Sequence, residues 1–173
     1  MTDKVRKLTR GALLASMSVA LLCASALFPT LSLTIVAISG LTAAVAIIHD
    51  GLGAGAAVYA ATAALAAIIA PDKGNVILFA GFFGLYPVLK SVAEKPPSPI
   101  LRWAIKLVFF NIVFVCVWIF ARELLFDELP EIPALWLIAM AVANCAFVVY
   151  DVGLDRLISL YMFRIARKID KKA

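Results

Sequence analysis

Long apolar stretches separated by short polar breaks dominate the chain. These stretches cover residues 8–27, 31–48, 52–70, 76–92, 100–126 and 134–151. Each has the length of a transmembrane helix, which needs about 20 apolar residues at a rise of about 1.5 Å per residue. The pattern therefore predicts an all-α integral membrane protein in which six transmembrane helices form a single domain over residues 1–173.

The breaks between the stretches consist of residues that end helices. The segment 71–75 reads Pro-Asp-Lys-Gly-Asn, and the segment 94–99 contains three prolines. Proline lacks a helix donor, and Asp, Gly and Asn favour turns. After the sixth stretch, apolar residues at helical spacing continue among arginines and predict an amphipathic helix in the tail 152–173: Leu157, Leu160, Tyr161 and Ile165.

The composition excludes a water-soluble globule. Apolar residues make up 64% of the chain and charged residues 16%, against about 45–50% and about 25% in soluble domains. Three cysteines in 173 residues are too few for a disulfide scaffold, and we expect them to pack in the helices.

The placement of the basic residues predicts the topology. Lys and Arg cluster before the first stretch, around 90–106 and in the tail, whereas the opposite side has only Lys73 and Arg122. By the positive-inside rule, both termini are cytoplasmic and the turns at 28–31, 71–75 and 126–133 face outward. We therefore expect orientation in a membrane, rather than a nucleic-acid partner, to explain the positive charge. A cleaved signal peptide is disfavoured, because the first stretch is too long for a signal core.

No catalytic or metal-binding pattern is found in the sequence. It contains no glycine-rich phosphate loop ending in Lys-Ser or Lys-Thr and no nucleophile-elbow serine. His49, in a turn beside Asp50, cannot build a metal site with its sequence neighbours. We therefore predict neither an enzyme nor a cofactor, and no resident metal.

Small residues recur every fourth position on the first helix. Gly11 and Ala15 are four apart, as are Ala12 and Ser16, followed by Ala20. Such a strip lets another helix approach closely. It is either a docking surface for a partner protein or packing within the bundle. Similar strips on helices two and three, Gly40 with Ala44 and Gly53 with Ala57, are expected to be internal.

Polar residues inside the spans need partners, because an unpaired charge there costs about 2.5 kcal/mol or more. Lys106 and Asp151 lie at matching depth near the cytoplasmic side, and we predict that they pair, with Lys90 as a competing partner. Snorkelling of the lysines to the interface is the alternative. Asn111 and Asn144 lie near mid-membrane, where an amide either bridges helices or contacts a ligand.

Aromatic residues form a stripe on the fourth helix. Their offsets of three, four and seven place Phe79, Phe82, Phe83 and Tyr86 on one face that ends at Pro87. The outward turn above this stripe is polar, and a face of the fifth helix climbs toward the same side: Asn111, Val115, Trp118 and Arg122. The pattern is typical of an outward cavity for a small amphipathic ligand, with plain packing as the alternative.

Three stretches resemble the substrate-binding S components of energy-coupling factor transporters. They are LTRGALLASMSVALL at 8–22, APDKGNVILFAGFFGLYPVLK at 70–90 and NCAFVVYDVGLDRLISLYMFR at 144–164. The resemblance implies a six-helix protein that captures a vitamin or related micronutrient from outside. It also implies docking on a transmembrane coupling subunit that works with two cytoplasmic ATPases.

The resemblance also implies candidate site residues. The docking strip falls on Gly11, Ala12, Ala15 and Ser16. The ligand residues, to which we add Asn111, lie in the outer half: Asp72, Asn75, Phe79, Phe83, Tyr86, Trp118 and Asn144. The cobalt and nickel branch of the family has a histidine directly after the initiator methionine. Thr2 takes that place here, so metal uptake is disfavoured.

Two other functions stay open. A structural membrane protein, similar to small multi-span components of bacterial cell-shape machinery, would recruit partners without binding a ligand. Charged residues of the outer turn would suit either role: Arg122, Glu123, Asp127, Glu128 and Glu131. A small secondary transporter is weakened, because no carboxylate lies clearly at mid-membrane.

Overall fold

The part of the chain that the computed structural model describes consists of helices joined by short turns. It comprises the backbone of residues 2–125 and 133–170 and the side chains of 2–117, 119 and 136–163. Its helices are α1 (Asp3–Ser25), α2 (Ser32–Asp50), α3 (Leu52–Ile69), α4 (Lys73–Leu78), α5 (Tyr86–Ala93), α6 (Pro99–Leu125) and α7 (Pro133–Asp170). Six segments of this described part are long and apolar enough to cross a membrane, with α4 and α5 together forming the fourth. The predicted all-α membrane fold is confirmed.

Helix boundaries follow the residues expected to break the chain. A short 3-10 turn over Pro29–Leu31 precedes α2, and α6 begins at Pro99. Gly51 separates α2 from α3 with φ at +91°, a conformation that glycine adopts readily because it lacks a Cβ. The Asp72 carboxylate caps α4 by accepting a hydrogen bond from the backbone N–H of Asn75 at 3.2 Å.

The chain divides into two compact units, residues 1–128 and 129–173. In the first unit α1, α2 and α3 pack against one another, and Ala15, Ala46 and Val58 form a small buried cluster. Short side chains at this cluster let the helix backbones approach closely. The single-domain organisation stays a prediction.

The second unit is built on α7. Its buried residues Phe147, Asp151 and Leu154 follow the i, i+4, i+7 spacing of one helix face. The helix has 38 residues and is about 57 Å long, against about 30 Å for the hydrocarbon core of a bilayer. The tail, predicted as an amphipathic helical extension of the sixth span, continues α7 as far as Asp170. Side chains after residue 163 lie outside the described residues.

The fourth span is interrupted by a wider turn. Residues Phe79–Phe83 form a π-helical turn, in which the Gly84 amide donates to the Phe79 carbonyl at 2.8 Å. Pro87 follows directly, and its ring would collide with the carbonyl four residues earlier in a regular α-helix. The irregular turn thus lies where the sequence indicated a proline kink.

Candidate functional site

The polar residues at the beginning of α4 bind other protein groups. Asn75 is 5% exposed and donates from Nδ2 to the Ser25 hydroxyl at 2.9 Å, which joins α4 to α1. Lys73 donates from Nζ to the carbonyls of Ala67 and Ala70 at the end of α3. With the Asp72 cap, these contacts hold the turn between α3 and α4 in place.

The aromatic stripe is a packed cluster. Phe79 and Tyr86 are fully buried and Phe83 is nearly so. The Phe82 ring centroid lies 5.1 Å from Phe83, 5.3 Å from Tyr86 and 5.4 Å from Phe110 of α6. Such separations are typical of interacting aromatic rings. The cluster therefore binds the fourth span to α6, as the packing alternative expected.

The two mid-span asparagines differ in their surroundings. Each donates from Nδ2 to the carbonyl four residues earlier on its own helix, at 2.8 Å: Asn111 to Leu107, and Asn144 to Met140. Asn111 also lines an open groove of about 500 Å³ along α6, with Val115 and Cys116 among its walls. Asn144 lies in the other unit.

The predicted ligand residues are therefore only partly brought together. Asp72, Asn75, Phe79, Phe83 and Tyr86 share the fourth span, and the aromatic members face the packed cluster. The side chains of Trp118, Arg122 and Glu123 lie outside the described residues, as do Asp127, Glu128 and Glu131 altogether. Ligand binding stays a prediction for all eight residues.

The small-residue strip of α1 divides into two faces. Ala15 is 5% exposed and packs with Ala46 and Val58, and a Cβ built on Gly11 would lie 3.7 Å from Val58 Cγ2. Ala12, Ser16 and Ala20 are exposed. A partner helix would reach only this second face, and docking there stays a prediction.

Helices α2 and α3 place their small residues differently from each other. Gly40 and Ala44 are buried, and the Phe83 carbonyl packs so closely on Gly40 that a Cβ there would overlap it. On α3 we predicted that Gly53 and Ala57 lie inside the bundle, and this prediction was wrong because both are exposed. Gly55 faces Ile47 instead. Both faces of α3 are rich in small residues, so spacing could not distinguish them.

Two buried lysines share one carboxylate. Lys90 is 2% and Lys106 5% exposed, and their Nζ atoms lie 3.3 and 3.0 Å from Oε1 of Glu94. The rings of Tyr86 and Trp103 lie 5.9 and 5.4 Å from these cations. We call Lys90, Glu94 and Lys106 the lysine–glutamate cluster.

Sequence reasoning placed Glu94 in the linker and missed this role. The signal was its position four residues after Lys90, a spacing at which helical side chains meet. Lys106 and Asp151 belong to different units, and their pairing stays a prediction.

A second ion pair, between Arg10 and Asp50, was not predicted from the sequence. Arg10 Nη1 lies 3.0 Å from Oδ2 of Asp50, and the Asp50 side chain is 7% exposed. This contact ties the beginning of α1 to the end of α2. His49 and Asp50, which the sequence placed in a turn, are the last two residues of α2, and Asp50 is an attachment point for α1.

No metal centre is evident in the described ranges, which contain no group of three or more His, Cys, Asp or Glu side chains able to hold an ion. No protein-family model matches the chain, and no curated protein or solved structure matches it either. What the protein does is therefore inferred from its own residues and from the resemblance of three of its stretches.

Proposed function

We propose that the chain is the substrate-capture subunit of an importer of the energy-coupling factor class. It binds a vitamin or related micronutrient from the outer side of a bacterial plasma membrane. It docks through α1 on a transmembrane coupling subunit, whose two cytoplasmic ATPase partners supply the energy. This chain has no nucleotide-binding motif of its own.

The exposed face of α1 carries the proposal. The inward face of this helix already packs on α2 and α3 through Ala15. The other face still presents Ala12, Ser16 and Ala20, flanked by the exposed side chains of Leu13 and Met17. In a membrane such a surface favours close approach of a second helix, because small residues let the backbones meet.

Ligand capture requires a change in the fourth span. The aromatic residues proposed to meet the ligand are buried in the aromatic cluster, and Asn75 is bonded to Ser25. A ligand would replace these contacts, entering beside Asp72 and Lys73. The free energy gained on ligand binding would then be reduced by the cost of breaking these protein contacts.

The docking surface is tested by co-purification. We expect Ala12→Trp to abolish association with a coupling subunit, because the bulky ring separates the helices. Ala57→Trp is the matched control, since Ala57 is an equally small exposed residue that belongs to α3 and not to α1. Equal association of both variants would contradict docking through α1.

Ligand capture is tested by thermal unfolding of the purified protein with a panel of vitamins. A ligand at 100 times its dissociation constant stabilises the folded state by about 2.7 kcal/mol. At least one compound should therefore raise the melting temperature. Stabilisation that is lost in Asp72→Ala would assign the site to the outer turn.

A structural role is the second candidate, and a specific observation favours it. The predicted ligand residues of the fourth span already bind protein groups, as a scaffold without a ligand would require. A flat response across the vitamin panel would support this candidate over transport.

A further inference from the structure

The fourth span carries one more residue than a regular helix would between its two halves. In an α-helix the Gly84 amide would donate to the Ala80 carbonyl, but it donates instead to Phe79, five residues back. The Ala80 carbonyl accepts a hydrogen bond from the Tyr59 hydroxyl of α3 at 2.7 Å. A group on a different helix therefore occupies the acceptor that an α-helical register would use.

Contacts from outside the span also hold the other side of the turn. The Phe83 carbonyl, which Pro87 leaves without its α-helical donor, packs directly on Gly40 of α2. The Phe79 ring lies over Gly84, so closely that a Cβ there would lie 2.5 Å from Cζ. The π register thus rests on tertiary contacts as well as on the proline.

We propose that the fourth span is a two-state hinge in which the Tyr59 hydroxyl selects the register. In the second state Gly84 donates to Ala80, the Tyr59 hydroxyl loses its acceptor, and the segment before the turn rotates by one residue. One residue corresponds to about 100° of rotation and about 1.5 Å of rise. That movement would carry Asn75 away from Ser25 while α5 stays on the aromatic cluster.

The hinge does not depend on the proposed transport function. It provides a physical way for the outer end of the span to open, because each register satisfies the Gly84 amide. π turns inside α-helices are frequent at functional sites. Broken helices with freed carbonyls likewise form substrate and ion sites in membrane transporters.

The chain contains a built-in probe for this hinge. Phe83–Gly84 is the only Phe–Gly pair in the sequence. Labelling with ¹³C-carbonyl phenylalanine and ¹⁵N glycine therefore isolates the Gly84 amide in nuclear magnetic resonance spectra of the full chain. We expect Tyr59→Phe, which keeps the ring and removes the hydroxyl, to produce a new Gly84 resonance beside or in place of the original one.

Deletion of Gly81 provides the control. Without the extra residue, Phe79 becomes the α-helical acceptor of Gly84, so both halves keep their positions and no second register exists. Adding Tyr59→Phe to the deletion should then produce no new resonance. An unchanged spectrum for Tyr59→Phe in the full-length chain would overturn the proposal. So would a new resonance that also appears in the deletion background, because it would report general loosening.

Should the deletion variant fail to fold, a spin-label distance replaces the control. Labels at the exposed positions Ile77 on α4 and Leu52 on α3 report rotation of the segment before the turn. Tyr59→Phe should add a second distance population. A single unshifted population would overturn the hinge, whatever the outcome of the ligand and docking experiments.

Discussion

Asn75 is a polar residue in the first turn of α4 whose sequence position suggested a ligand and whose side chain bonds another helix. Its side-chain amide donates a hydrogen bond to the Ser25 hydroxyl, which itself donates to the Leu22 carbonyl at 2.7 Å. Its burial required such a partner, because a buried amide without one is costly. Which partner it has depends on α1, 50 residues away in the chain.

The Asn75–Ser25 bond predicts a specific loss of stability. Asn75→Ala should lower the free energy of unfolding by about 1–2 kcal/mol, because it removes a buried hydrogen bond and leaves the Ser25 oxygen without that donor. Thermal unfolding in detergent, followed by circular dichroism, measures the change. Ser25→Ala completes a double-mutant cycle, and simple additivity of the two changes would contradict the bond.

The contacts of Glu94 differ most from what its sequence position predicted, which was a place in a linker. Its carboxylate lies against two buried ammonium groups, although its own side chain is 41% exposed. Glu94→Gln should lower the free energy of unfolding by about 1–3 kcal/mol, since hydrogen bonds to charged groups are lost. Lys95→Gln, a charge change at the neighbouring exposed position, should have little effect. Equal unfolding temperatures for the two variants would be contrary evidence.

The lysine–glutamate cluster also provides a reference for the Lys106–Asp151 pair, which was predicted only from the matching depth of the two residues in the membrane. Lys106→Met combined with Glu94→Gln should be less harmful than the sum of the single changes, because the two side chains touch. The same cycle with Asp151→Asn in place of Glu94→Gln tests the predicted Lys106–Asp151 pair. Additivity there would mean that those two residues do not interact.

At the level of single elements, the fourth span shows how much of a helix's structure its own sequence pattern can predict. Pro87 indicated an irregularity, and an irregular turn is present. The π turn also has contacts that the pattern does not show, from the Tyr59 hydroxyl to the Ala80 carbonyl and from Gly40 to the Phe83 carbonyl. Tyr59 and Gly40 lie on other helices, so the spacing of aromatic residues contains no information about them.

Close packing at Gly40 predicts a position-specific effect of one methyl group. Gly40→Ala should destabilise the fold by about 1–3 kcal/mol, because the new Cβ overlaps the Phe83 carbonyl and a backbone must shift. Gly53→Ala is the matched control. No atom lies within 4 Å of the point that a Cβ would occupy there, and helix propensity should add about 0.5–1 kcal/mol. Thermal unfolding of both variants should give shifts of opposite sign, and shifts of the same sign would contradict the packing.

For the molecule as a whole, the distribution of basic residues predicts which side of the membrane each loop faces. A green fluorescent protein fused after Ala173 should fluoresce, because that reporter folds in the cytoplasm. Alkaline phosphatase inserted between Lys73 and Gly74 should be active, because it requires an oxidising exterior. The reverse result would exchange the proposed capture side and docking side.

Local information along the chain suffices for the number of candidate membrane spans and for the breaks between them. Bilayer thickness sets the length of each apolar run, and proline, glycine and aspartate interrupt helices through their own backbone properties. Nearest neighbours in sequence contain all of that information. Six spans were therefore predicted, and six helical segments of the described residues are long and apolar enough to cross a membrane.

Contacts between distant segments decide the rest. α1 has small residues on two faces, and only packing on α2 and α3 makes one of them internal. The partners of Asn75, Glu94 and Asp50 and the register of the fourth span arise in the same way. Helical periodicity defines faces, but which face meets which neighbour is set by close packing and by hydrogen bonds that form only after the helices have assembled.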